Sequence, residues 1–360
     1  MQMNIRNRLI LEDFKKNRPD YIELDNIAHT ILQNALTASK IPVMAIQHRV
    51  KTYDSLSGKL ERDSDRFSQL CDITDLFGGR IICYFADDID LIGELVQKTF
   101  VIDQERSSDR RQSIKADTFG YVSLHYICSL PPSSEYRSEL CNIRFEIQIR
   151  TLLQHTWAEI EHDFGYKTSF GIPRKVRREF SRVAGLLEIA DDEFTRIRRG
   201  VTDYTESICQ KIADNKADDI SLDSISLREY TRLNHNMKEF ISKLADFCHA
   251  DIEEVASDSY LEQLNWLGKE NLGDLQHMLD ANEALALKLA ERALKGSELD
   301  ILSSSVGLWY LCRAELLAKN YSSEQIMEFI KLSMRDEKRA AQQAEHLLHS
   351  YREMMQKGDI

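Results

Sequence analysis

Hydrophobic and polar positions along the chain change period in a way that marks its elements. Phe145, Ile147 and Ile149 alternate with Glu146, Gln148 and Arg150, the pattern of a strand with one apolar and one polar face. The spacing then lengthens. Leu152 or Leu153, Trp157, Ile160 and Phe164 recur at helical intervals, with Thr151 placed as an N-cap. Upstream, residues 4–38 carry an apolar stripe (Ile5, Leu9, Phe14, then Tyr21, Leu24, Ile27, Ile31, Leu32, Ala35) that predicts helices broken at Pro19. Arg49, Val50 and Lys51 alternate as on a short strand with both cations on one face. Ser55 is a candidate cap for a helix bearing Lys59, Arg62 and Arg66.

Arg80–Phe85 is an apolar, β-rich run that predicts a central strand, approached through a tight Gly78-Gly79 turn. Asp87, Asp88 and Asp90 open a helix whose inner face is Ile89, Ile92, Leu95 and Val96. A basic loop with Arg106, Arg110, Arg111 and Lys115 leads to a strand over Gly120–Cys128, where Tyr121, Ser123 and His125 share one face. Strand, helix, strand and a return into a third strand predict a mixed sheet with helices packed on it, an α+β fold.

After Pro173 the texture becomes helical. Val176, Phe180, Val183, Leu187, Ala190, Phe194 and Ile197 form a heptad-like stripe beside Arg174, Lys175, Arg177, Arg178 and Arg182. That helix either closes the preceding core or offers a surface to another subunit or to tRNA. The polar stretch around 200–225 is a plausible boundary, so domains over 1–200 and 201–360 are expected. From about 226 to 355 the pattern predicts an all-α region. Leu279, Leu285, Leu287, Leu289 and Ala293 mark one helix. Trp309, Leu311, Leu316 and Leu317 mark a second, and Ile326, Phe329, Ile330 and Leu332 a third, with breaks at Gly296-Ser297 and Asn320–Ser323.

Composition narrows the function. A length of 360 residues permits two domains, and 14 Gly with 5 Pro suits a helix-rich protein. The formal net charge of -12 argues against a surface built wholly for nucleic acid but leaves room for a local basic cleft. Seven cysteines, scattered and without a Cys-x-x-Cys pair, predict neither a zinc site nor a disulfide framework and suit a reducing, cytoplasmic location. No signal core or membrane-spanning run is read.

Three polar strand faces hold Asp75, Tyr121 with His125, and Glu146 with Gln148, and cations flank them. Few carboxylates and many cations form the inventory for Mg²⁺-nucleotide phosphoryl transfer, because Mg²⁺ takes one or two carboxylates together with substrate phosphates. There is no Gly-x-x-x-x-Gly-Lys-Ser/Thr loop. Alone, Asp75 could equally cap a turn, Tyr121 could be core, and His125 could be structural.

The ordered blocks Arg49-Val-Lys51 with Ser55, Asp75-Leu-Phe-Gly-Gly-Arg80, Gly120-Tyr-Val-Ser-Leu-His125, Glu146-Ile-Gln-Ile-Arg-Thr151 and Trp157-Ala-Glu-Ile-Glu-His162 with Tyr166-Lys167 resemble the synthetase domain of the RelA/SpoT family. They cover roughly residues 40–170. The resemblance implies a nucleotidyltransferase-like synthetase fold that moves the β,γ-pyrophosphate of ATP to the 3′-hydroxyl of GDP or GTP, making (p)ppGpp and releasing AMP.

Carried over by position, it implies that Arg49 and Arg80 sandwich adenine and that Lys51, Lys59 and Arg62, beside Ser55, hold the ATP phosphates. Asp75 and Glu146 bind Mg²⁺, and Glu146 also orients or deprotonates the acceptor hydroxyl. Tyr121 stacks on the acceptor base, and His125, Gln148 and His155 line the acceptor pocket. The segment before Gly120, Ala116-Asp-Thr-Phe119, departs from the family's lysine- and asparagine-bearing pattern. That departure suits family members that modify the 3′ end of tRNA and act as toxins. With about forty residues before Arg49, and His162-Asp163 belonging to the synthetase signature, no alarmone hydrolase is expected. The helical C-terminal half is expected to bind a regulatory protein or a second copy.

Overall fold

The computed structural model describes residues 4–63, 66–109, 123–133, 135–167, 173–255, 257–297, 299–334 and 336–358. The chain divides into two compact units, Met1–Arg198 and Arg199–Ile360.

Unit 1 is built on a mixed sheet. Its strands are β1 (Val43–Val50), β2 (Phe77–Cys83), β3 (Val101–Ile102), β4 (Ser108–Asp109), β5 (Leu124–Ser129) and β6 (Phe145–Thr151). Their order is β1-β2-β6-β5-β3, with β4 also on β5. β2 and β6 run parallel, and the other pairs are antiparallel. The register sets Gly78 opposite Glu146 and His125 opposite Gln148. Gly78 and Gly79 therefore lie inside β2 and not in a turn before it. A Cβ on Gly78 would sit 3.2 Å from the Glu146 carbonyl oxygen, so glycine lets β2 and β6 approach where Glu146 is held.

The alternation in β6 resolves as read. Phe145, Ile147 and Ile149 are buried against Phe77, Ile81 and Leu124 in one apolar cluster. Two helices cover that face: α1 (Ile5–Ser39), through Leu24, Ala28, Leu32 and Leu36, and α3 (Asp88–Thr99), through Ile89, Ile92 and Val96.

α1 is continuous through Pro19, contrary to the expected break. A proline removes one helical hydrogen bond and crowds the carbonyl four residues back. Burial on both sides outweighs that local penalty. Ile10, Leu11, Phe14 and Tyr21 pack in a second cluster with Leu56 and Leu60, while the residues beyond Tyr21 pack on the sheet.

α2 (Tyr53–Arg62) is capped by Thr52, whose hydroxyl accepts the Ser55 backbone N–H at 3.2 Å. Ser55 thus supplies the capped amide and is not the cap. Lys59 and Arg62 fall in the last turn, where the helix dipole favours cations. Arg66 lies beyond the helix.

Thr151 does cap α4 (Leu152–Lys167). Its hydroxyl accepts the Gln154 N–H at 3.1 Å and donates to Asp191 at 2.7 Å, and Gln154 reaches back to the Thr151 N–H at 3.0 Å. Helix α5 (Arg174–Ala213) enters the polar stretch around 200–225 and ends within it. Its apolar spacing persists through Val201, Tyr204, Ile208 and Ile212, so the helix continues although the intervening residues are polar.

Unit 2 is helical, as expected, apart from one pair of three-residue parallel strands, β7 (Asp251–Glu253) and β8 (Ile301–Ser303). Its helices beyond α5 are α6 (Ser224–Leu233), α7 (His235–Asp246), α8 (Leu261–Trp266), α9 (Leu272–Leu294), α10 (Val306–Ala318), α11 (Ser323–Lys331) and α12 (Glu337–Lys357). α10 is buried on nearly every side, as a helix apolar around most of its circumference must be. No helix among the described residues is long and apolar enough to cross a membrane.

Candidate active site

The polar side of the β1-β2-β6-β5 sheet and one face of α4 enclose a cavity of about 580 Å³ in unit 1, in the usual range for a small-molecule site. Strand alternation turns Glu146, Gln148 and His125 to this side while their neighbours enter the core. Arg49, Lys51, Asp75, Arg80, His125, Glu146 and Gln148, all expected site residues, line it.

Lys59 joins them through Asp75. The Asp75 carboxylate receives Lys51 Nζ on Oδ2 and Lys59 Nζ on Oδ1, both at 2.7 Å. Burial alone would push the Asp75 pKa up. The charges and hydrogen bonds of the two lysines outweigh burial and hold the carboxyl below its ordinary value. His155 lies beside this wall, its Nδ1 3.4 Å from Arg80 Nη1. Burial, then the Arg80 charge, lowers its pKa, so the ring is neutral near pH 7. Ser55 and Arg62 are exposed on α2 and do not line the cavity. Tyr121 lies outside the described residues, as do Arg110, Arg111, Lys115 and Ala116–Gly120, and the side chains of Tyr166 and Lys167 are not described.

Glu146 is the best-held group. Its Oε1 is 2.6 Å from His125 Nδ1, and its Oε2 accepts Gln148 Nε2 at 2.9 Å. His125 Nε2 in turn lies 2.5 Å from Ser123 Oγ, and Arg150 donates to Gln148 Oε1. A polar chain therefore runs Ser123–His125–Glu146–Gln148–Arg150 across β5 and β6. Burial acts to raise the Glu146 pKa, but the His125 hydrogen bond and charge, with the Gln148 bond, outweigh it, and the carboxyl stays below its ordinary value. The nearby Asp75 charge acts against that, so the two carboxylates sense one another. They are two hard oxygen ligands on one cavity, a set that fits Mg²⁺ bound jointly with phosphates.

Several lining residues were given no site role from sequence. Ser123 was placed only as sharing the His125 face. Glu159 binds Arg80 at 2.7 Å, and Gln47 accepts from the same Arg80 nitrogen at 3.3 Å. Gln154, Trp157, Ala158 and Glu161 line the cavity from α4. Their spacing of three and four residues after Thr151 was the available signal. Glu159 is half exposed, so its ion pair with Arg80 is weak.

The family described as "Region found in RelA / SpoT proteins" matches residues 48–170, the stretch that builds these walls. GTP pyrophosphokinase YjbM of Bacillus subtilis is 30% identical over 174 residues, covering 47% of this chain and 79% of the relative. The chain belongs to the RelA/SpoT family. GTP pyrophosphokinase YwaC of the same organism is 30% identical over 169 residues, covering 44% of this chain and 76% of the relative. Among solved structures, the small alarmone synthetase 1 of Bacillus subtilis is 27% identical, with 53% of this chain and 99% of that one covered and a TM-score of 0.46. In this RelA/SpoT chain the matched region lies within unit 1.

Proposed function

We propose that the chain is an ATP-dependent pyrophosphotransferase that uses GDP or GTP as acceptor and makes (p)ppGpp. The observation that carries this reading is the pairing, in one cavity, of a cationic wall (Arg49, Arg80, Lys51, with Lys59 through Asp75) and a carboxylate anchored by neighbours, Glu146. The arginines stack on adenine through their planar faces. Lys51 and Lys59 exchange Asp75 for ATP phosphates. Asp75 and Glu146 would hold Mg²⁺, which would neutralise charge on the phosphates.

Glu146 accepts the proton of the acceptor 3′-hydroxyl as its oxygen bonds to the β-phosphorus and the α–β bridging bond breaks, releasing AMP. His125 positions this carboxylate and favours its charged form, and Ser123 fixes the ring. His155, Gln148 and Tyr121 contact the acceptor, and Ser55 and Arg62 contribute at the ATP end.

The relay has a pH consequence. His125→Gln removes the partner that lowers the Glu146 pKa, so the acid limb of the kcat profile moves to higher pH while KM for ATP changes little. An unmoved limb would remove His125 from this role.

The deciding assay supplies Mg²⁺ and γ-labelled ATP with GDP, GTP or tRNA in separate reactions. Label in a guanosine tetra- or pentaphosphate is expected. Label in tRNA alone would replace this acceptor by the second reading, a tRNA-modifying toxin controlled by the C-terminal unit. The exposed cations Arg174, Lys175, Arg177, Arg178 and Arg182 on α5 favour that second reading, as phosphate-backbone contacts would.

A further inference from the structure

Unit 2 holds a buried cation that no acid among the described residues neutralises. Arg313 lies in the middle of α10 and is 3% exposed. Its guanidinium carbon is 3.4 Å from the centre of the Trp309 ring, and Nη1 donates to the Trp309 carbonyl at 3.1 Å. Among the described residues no carboxylate pairs with it. Two positions further along the same helix, Glu315 shows how this core treats a charge it keeps for itself. Glu315 is 4% exposed and bound by Lys269 Nζ at 2.7 Å, Lys319 Nζ at 2.9 Å and Asn282 Nδ2 at 2.6 Å. An ion buried without a counter-charge is penalised by several kcal/mol, and such cations are normally paired. The titratable groups that reach Arg313 are Cys312, Tyr260 and Tyr310, and burial pulls its pKa down to about 10.

The surroundings are those of an anion site. Ser305, Trp309 and Arg313 follow one another at four-residue intervals on one face of α10. Arg313 and Ser305 both act on the Tyr260 hydroxyl, each favouring its ionised form, although burial dominates and pushes its pKa up. Ser305 Oγ is 2.8 Å from Ser303 Oγ. Ser305 is the N-cap residue of α10 but makes no side-chain capping bond, which leaves the positive end of the helix dipole uncapped on this side. On the turn that carries Tyr260, Ser257 Oγ is a buried polar atom with no partner among the described residues. Tyr260, Ser305 and Trp309 are half-buried.

We propose that unit 2 carries a binding site for a small oxyanion, a phosphate or carboxylate group gripped by the Arg313 guanidinium and received by the Tyr260 and Ser305 hydroxyls, with Trp309 holding the guanidinium plane. The planar fork of arginine suits both anions. This site shares no residue with the cavity of unit 1.

The test uses the full chain and the indole N–H resonances of its three tryptophans, Trp157, Trp266 and Trp309. Trp157 lines the cavity of unit 1 and reports anions bound there separately. Inorganic phosphate and acetate are titrated in turn. The Trp309 resonance is expected to shift saturably with one of them, with a Kd on the order of 1 mM; whichever anion acts identifies the headgroup. Arg313→Met is expected to abolish the shift while leaving the Trp157 response intact. Should that variant fail to fold, Ser305→Asp places a tethered carboxylate in the site, and loss of the Trp309 response is again expected. A Trp309 resonance unmoved by either anion at tenfold that concentration, or a shift retained in both variants, overturns the proposal.

Discussion

Glu146→Gln is expected to lower kcat for pyrophosphate transfer about a thousandfold, the scale of losing a general base together with a preorganised charge, with KM for ATP changed only a few-fold. Two features of the site fix that split. The carboxylate is held at both oxygens, by His125 at 2.6 Å and by Gln148 at 2.9 Å, so it is aimed before substrate arrives and little reorganisation accompanies reaction. The groups assigned to ATP, Arg49, Arg80 and Lys51, stand on β1, β2 and the residue after β1, and none bonds to Glu146. Gln keeps the shape and one acceptor oxygen but cannot take a proton and carries no charge. Steady-state label transfer gives kcat and KM, and far-ultraviolet circular dichroism confirms that the variant is folded. A variant with full kcat would move the catalytic centre away from Glu146.

Much of the sheet was legible because its signals are local and repeated. The alternation in Phe145–Arg150 and the switch of period at Thr151 are properties of consecutive residues, and the structure reproduces both. What failed was local inference against tertiary burial. Pro19 is a reliable helix breaker only where nothing holds the two halves together, and α1 is packed on both sides of it. Thr52 and Ser55 are both good caps by type, and only the backbone decides which one stands outside the helix. The polar residues around 200, where the two units do divide, hid only that α5 continues to Ala213 on a stripe that needs every third or fourth position.

The site divided in the same manner. Asp75 and Glu146 were named through the family resemblance, and both line the cavity. Residues that act only by supporting the site were given no role there. Ser123 matters because it stands 2.5 Å from His125, a relation that one-face alternation permits but does not demand. Glu159 matters because β2 and α4 bring it to Arg80 across a sequence separation of 79 residues.

Asp75→Asn is the second large effect, and its signature differs from that of Glu146. The rate of pyrophosphate transfer is expected to fall by about three orders of magnitude, because one of the two carboxylates that fit Mg²⁺ is gone. Binding of ATP without metal is expected to hold or tighten, because Lys51 and Lys59 lose the carboxylate that occupies them.

Stability responds as well. The Asp75 pKa in the folded chain is depressed, burial being outweighed by the two lysines. A group of this kind contributes stability above its unfolded pKa, about 3.9, and loses that contribution as pH falls through the folded value. Wild type is therefore expected to be more stable than Asp75→Asn at pH 7, and the gap to close on acidification below the ordinary carboxylate range. Urea unfolding across that range, set beside metal-free ATP titration, checks both halves. If ATP binding and rate fall together, or if the stability gap does not close with acid, the lysines are not exchanging Asp75 for phosphate, and the cationic wall has to be assigned another ligand.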